Sequence, residues 1–186
     1  MKKWFGLIVL MVFFVGCQSG ESIDQADIDA YDVNQIEDYV SEDDFIFRLV
    51  TEQEAYDESE EVNLFGEIEY VGEEEEVTIL HASSAVFFLI EEKVRGYEIG
   101  STVEDIGLST TLEQGEVHRE PYEKSGGYSQ GEDQDYIDFV EDFMEREGFP
   151  RGFYEINART DFTVEQENGA SERIEMEATV DFKVNQ

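Results

Sequence analysis

Apolar and polar residues alternate most regularly near the C-terminus. Ile174, Met176, Ala178, Val180, Phe182 and Val184 are separated by Glu175, Glu177, Thr179, Asp181 and Lys183. Upstream, Tyr154, Ile156, Ala158, Phe162 and Val164 alternate with Glu155, Asn157, Arg159, Asp161 and Thr163. A period of two puts one set against a core and the other toward water, as in a half-buried strand. Asn168-Gly169 between the segments is a strong turn signal, so the pattern predicts a long antiparallel C-terminal hairpin. Further strands are predicted at Phe45–Thr51, Val62–Tyr70, Val77–His81, Ala85–Ile90, Val94–Ile99, Leu108–Leu112 and Val117–Tyr122. The charged run Gly72–Glu76 and Gln114-Gly115 mark turns between them. Ala85–Ile90 is apolar on both faces, as expected of a central strand. Many short strands separated by turn signals predict a mainly β fold, an antiparallel sandwich.

One segment changes period. Over about 131–147, Tyr136, Phe139, Val140, Phe143 and Met144 recur at helical spacing, with Ile137 at the margin and Gln134, Asp138, Glu141, Asp142 and Glu145 opposite. Gly148, Phe149 and Pro150 stop this helix. The aromatic stripe reads as packing on an open end or face of the sandwich. If that face were exposed, Tyr136, Phe139, Val140 and Phe143 would form a partner-facing ridge.

The residues that lead into the helix raise a question of chemistry. Gly127-Tyr128-Ser129-Gln130-Gly131 spells G-x-S-x-G, the pattern of a hydrolase nucleophile elbow. That elbow requires a strand running straight into the turn, and a histidine later in the chain. Here a polar loop precedes Ser129, and both histidines, His81 and His118, come before it. A His118–Ser129 contact is the one arrangement that would revive catalysis. Ser129 reads better with Glu132 as a capping box at the helix N-terminus, with Asp133 as a rival cap. His81 reads as structural, beside the turn residues Ser83 and Ser84. No enzyme and no cofactor is expected.

The N-terminus changes the setting. Lys2 and Lys3 precede an apolar run from Trp4 to Val15, followed by Gly16 and Cys17, the only cysteine of the chain. A positive stretch, a short apolar stretch and a small residue before cysteine form an export signal with a lipobox-like end. The run is shorter than the ~20 residues that cross a bilayer. The expectation is a signal peptide over 1–16, lipid attachment at Cys17, an acidic lipidated tether over 17–43 with a transient helix around Asp32–Val40, and a sandwich domain over 44–186. That places the protein at the cell membrane, on the extracytoplasmic face.

Charge narrows the partners. The 186 residues carry 47 acidic and 12 basic side chains, for a formal charge of −35. So acidic a surface repels phosphates, which excludes nucleic acid and anionic headgroups as main partners. A carboxylate-rich cation site would draw on Glu73–Glu76 or on Glu132, Asp133 and Asp135. Those runs lack the spacing of a calcium loop, so only weak cation binding is expected. Two histidines and one lipid-bearing cysteine cannot make a Cys/His zinc site.

Leu112-Glu113-Gln114-Gly115-Glu116 and Pro150-Arg151-Gly152-Phe153-Tyr154, after the VNLFGEIEY segment, resemble the "L-x-x-G-E" turn and the "P-x-G-x-Y" strand start of the intracellular proteinase inhibitor family of Gram-positive bacteria. The resemblance spans about 60–164 and implies an immunoglobulin-like sandwich. The helix lies between the two motifs as an insertion, so no inhibitory residue is carried over. The chain is also similar to lipoproteins of such bacteria, a likeness that implies no activity. The functional expectation is a lipid-anchored, non-enzymatic binding module with an unknown protein or envelope partner. The alternatives are a protease-inhibitor-like module and, more weakly, a cation binder.

Overall fold

The computed structural model describes residues 23–100, 103–104, 106–165 and 171–186. The chain is mainly β, with two sheets facing each other across one core. Its elements are α1 (Gln25–Asp29), β1 (Glu37–Glu42), β2 (Phe45–Thr51), β3 (Ala55–Asp57), β4 (Leu64–Tyr70), β5 (Glu76–Glu92), β6 (Tyr97–Gly100), β7 (Leu108–Glu113), β8 (Val117–Pro121), α2 (Gln134–Glu145), β9 (Gly152–Glu165), β10 (Ser171–Ile174) and β11 (Glu177–Asn185). The smaller sheet has the order β1-β2-β4-β8. The larger runs β3-β11-β9-β5-β6, with β10 also paired to β9 and β7 to β5.

Period-two alternation works as expected where one face meets the core. Along β11, Ala178, Val180, Phe182 and Val184 are buried, and along β9 so are Tyr154, Ile156, Ala158 and Phe162. The C-terminal hairpin is present, with its β11 partner in register from Glu177↔Arg159 to Val184↔Gly152. It breaks at Glu175-Met176, where β10 hands over to β11. Thr160 mends the break: its Oγ accepts the Met176 N–H at 2.9 Å, and its own N–H reaches Met176 O at 2.9 Å. The predicted turn at Asn168-Gly169 lies outside the described residues, as does Cys17.

Three sequence expectations are corrected. The sandwich is not wholly antiparallel, because β3 pairs parallel to β11 at Lys183↔Ala55. Val77–His81 and Ala85–Ile90 form one strand of 17 residues, broken only by a register shift between His81 and Val86. Residues 23–43 are not a free tether. Ile28 in α1 is fully buried, and β1 pairs with β2 from Glu37↔Val50 to Glu42↔Phe45. The region expected as a transient helix is therefore irregular chain over 32–36 and strand from Glu37 on.

The stripe of α2 packs as its main reading expects, and the condition for a partner-facing ridge is not met. Phe139, Val140 and Phe143 are buried and Tyr136 is half-buried, so the stripe packs inward and is not a partner-facing ridge. Tyr97 meets the Tyr136 and Phe139 rings at 5.3 and 5.2 Å, and Phe143 meets Phe149 at 4.8 Å. Phe149 continues the chain of rings to Tyr154 and Phe182. The helix plugs one end of the sandwich, and Met144, on the rim of the stripe, is left half-exposed.

Candidate functional site

The helix start settles the reading of Ser129. The N-cap of α2 is Asp133, in extended conformation, and no side chain makes a cap hydrogen bond. Ser129 is exposed and contributes its carbonyl, which accepts the Glu132 N–H at 3.4 Å, so the Ser129–Glu132 capping box does not form. Gly131, with φ of +106°, explains why: the chain turns there, between the two residues, before it becomes helical. The helix is secured at its other end. Lys124 Nζ donates to Phe143 O at 2.9 Å, Arg146 O at 2.7 Å and Gly148 O at 2.5 Å, placing a cation where the last carbonyls are free. Burial, aided by the nearby Arg146 guanidinium, pushes the Lys124 ammonium down to about 8.

The histidines find partners other than Ser129. His81 Nε2 lies 2.9 Å from Thr110 Oγ1 and its Nδ1 2.9 Å from Ala82 O, which ties β5 to β7 as expected of a structural residue. His118 sits on β8 and meets Glu120 at 3.4 Å.

Glu120 is the centre of a cluster that sequence reasoning missed. It reaches from the small sheet to the register shift of β5, where the Ser84 hydroxyl donates to it and the Ala85 N–H lies 3.1 Å away. A register shift leaves backbone donors without ladder partners, and the carboxylate fills that gap. A hydroxyl, a carboxylate and an imidazole thus converge beside a 390 Å³ cleft lined also by Phe88, Tyr122 and Lys124. Their order is wrong for nucleophilic catalysis. The carboxylate stands between serine and histidine, whereas activation needs the imidazole against the hydroxyl. Burial alone would raise the Glu120 carboxyl. The bonds from His118, Ser84 and the Ala85 N–H outweigh it and hold the group below the ordinary range.

The outer face of the large sheet is different in kind. Leu80 and Leu89 on β5 are 39% and 41% exposed, and Phe87 between them is half-buried. Arg159 on β9 covers the Phe87 ring at 5.3 Å. Phe87, Leu89 and Arg159, with Asn157, Thr179, Glu177 and Gly100, line an open groove of about 650 Å³. Thr179 Oγ1 donates to Asn157 Oδ1 at 2.8 Å on its floor. Ion pairs flank it, Arg173 with Asp161 at 2.7 Å and Lys93 with Glu91 at 2.9 Å. The signal was in the sequence: Ala85–Ile90 is apolar on both faces, yet past Ala85 only its Val86, Phe88 and Ile90 face is covered.

Among the described residues, no group of three or more His, Cys, Asp or Glu side chains is placed to hold a metal ion, and no helix is long and apolar enough to cross a membrane. Glu73–Glu76 and Glu132, Asp133 and Asp135 are solvated runs, apart from one another. A scan against family models matched none, and searches of curated proteins and of solved structures found no match.

Proposed function

We propose that the protein is a lipid-anchored, extracytoplasmic, non-enzymatic binding module, held at a membrane through Cys17 and meeting a protein or envelope partner on the outer face of the large sheet. The observation that carries the anchoring is Phe14-Val15-Gly16-Cys17 at the end of an apolar run behind Lys2 and Lys3. Two acyl chains supply ~0.8 kcal/mol per buried CH₂, enough for stable attachment. The binding surface rests on the groove of Phe87, Leu89 and Arg159, where apolar area stays open on the outer face of the large sheet. The non-enzymatic reading rests on Glu120, whose neighbours join two sheets instead of activating Ser84. The immunoglobulin-like part of the reading draws on Tyr154, whose hydroxyl donates to Pro150 O at 2.6 Å, the kind of corner that pins a strand start in such sandwiches.

Two measurements test the proposal. A fatty-acid probe should label the wild type and not Cys17→Ser; equal labelling of both removes the anchor. Full-length protein carrying Leu89→Asp with Phe87→Ser should lose an envelope partner by at least tenfold in affinity, while Val117→Asp on the other sheet keeps it. Loss in both, or in neither, removes the groove as the contact surface.

A further inference from the structure

The segment expected to act as a long tether is bound to the domain almost from its first described residue. Gln25 Nε2 donates to Asn185 Oδ1 at 2.8 Å, and Arg151 donates to Gln25 Oε1 at 3.0 Å. Ile28 is fully buried, and the Tyr31 ring stacks on Phe153 at 4.8 Å. Further along, Asp181 accepts the Asn34 N–H at 2.7 Å, and Asp38 accepts the Thr179 N–H at 2.9 Å. These contacts leave no slack beyond Asp24. Cys17 precedes Asp24 by seven peptide steps. A chain spans at most ~3.6 Å per residue, so the start of α1 lies within about 25 Å of Cys17 whatever path those residues take.

The contacts of α1 all fall at one end of the sandwich. There β5 ends at Glu92, β9 begins at Gly152 and β11 ends at Asn185. The other end holds the 72–75 turn, where β4 passes to β5, and the Gly115 turn, whose N–H reaches Tyr70 O at 2.8 Å. Between the ends runs β5, 17 residues long. The register shift between His81 and Val86 takes up three of these residues, so at ~3.3 Å per residue the ends lie about 40 Å apart.

We infer that the anchored protein stands on its α1 end: that end faces the bilayer at close range, and the end with the 72–75 and Gly115 turns projects about 40 Å further out. The inference rests on the anchoring reading. Its partner surface is the bilayer itself, reached through the covalent anchor and not by charge, since Asp24, Asp27 and Asp29 make the α1 end acidic. A protein partner therefore meets the outer end and the sheet faces, and the α1 end is shielded by lipid.

Lipidated full-length protein on phosphatidylcholine vesicles with an acceptor dye at the headgroups tests the orientation. The thioether at Cys17 leaves no free thiol, so donors attach only at Ala30→Cys or Glu74→Cys, both exposed positions. Energy transfer should be several-fold higher from position 30 than from position 74. Equal or reversed transfer, on vesicles that retain the protein in flotation, overturns the orientation while leaving the anchor standing. Protein that fails to float overturns the anchor and the orientation together. A Gly-Ser insert of about twenty residues after Gly20 has an end-to-end reach of roughly 25 Å more. It should erase most of the contrast, and a contrast that survives it overturns the tether-length argument.

Discussion

Glu120 shows how a single residue can join two sheets. Its carboxylate replaces the ladder partners that Ala85 lost at the register shift, and it also takes the Ser84 hydroxyl and the His118 ring. Held below its ordinary value near 4.5, it releases its proton more readily in the folded chain than in the unfolded one. Folding is therefore favoured above that value, and the advantage is lost as pH falls through the lower, folded value. In urea titrations, Glu120→Gln should cost on the order of 1–3 kcal/mol at neutral pH. The gap to the wild type should close as the pH is taken below the ordinary glutamate range. A gap that stays constant down to acid would show that the carboxylate contributes shape and not charge. Glu92 makes the same use of a carboxylate deeper in the molecule. It is fully buried, accepts the N–H groups of Val94 and Arg95 at 3.0 and 2.8 Å, and meets the Arg95 guanidinium at 3.2 Å. Gly152 opposite must lack a Cβ, which would lie 2.5 Å from Glu92 Oε1.

At the scale of elements, the N-terminal segment matters most. Asp181 N–H reaches Gln35 O at 3.0 Å, so residues 34–38 cover the free edge of β11 before β1 joins the other sheet. Removing residues 21–43 should uncover β2 and β11 together, lower the melting temperature by roughly 10 °C or more, and promote association through the exposed edges. Unchanged thermal unfolding of a chain starting at residue 44 would return this segment to the status of a tether. The segment was illegible as structure because it is held by polar bonds, with Ile28 the one fully buried side chain among its described residues. Glu37–Glu42 carries its aromatic, Tyr39, outward at 70% exposure, so no apolar period announces a strand. The hairpin of β9 and β11 was legible because one face of each strand is covered along its whole length. Between these extremes, β5 was read as two strands because His81–Ser84 interrupts its apolar run, although the backbone continues through the shift. The α2 stripe was read correctly as an inward face, but its N-terminal cap was misplaced. Side-chain spacing alone cannot show that Gly131 takes a positive φ. The Glu120 cluster needs a contact between residues 36 apart in the chain, which no local pattern encodes.

For the whole molecule, a formal charge of −35 is the dominant electrostatic fact. Most basic side chains already sit in ion pairs or over aromatic rings, as Arg119 does with Glu67 and with the Phe65 ring at 3.8 Å. Mutual repulsion of the remaining carboxylates opposes the compact state, and added salt shortens its range from about 14 Å to about 4 Å between roughly 50 mM and 500 mM. The melting temperature should rise by about 5 °C over that interval. A flat or falling profile in calorimetry would mean that the carboxylates are balanced within the fold. The crossing of the N-terminal segment from one sheet to the other has a mechanical consequence. A pull on the chain from its N-terminal side meets the Gln25, Tyr31 and Asn34 contacts first and reaches β1 at Glu37, the end that faces Val50, once they give way. A load along the strand from that end shears the hydrogen bonds to β2 together instead of opening them one by one. Strain on the N-terminal side would thus be resisted by the whole β1–β2 ladder, at the place where the molecule is sewn shut.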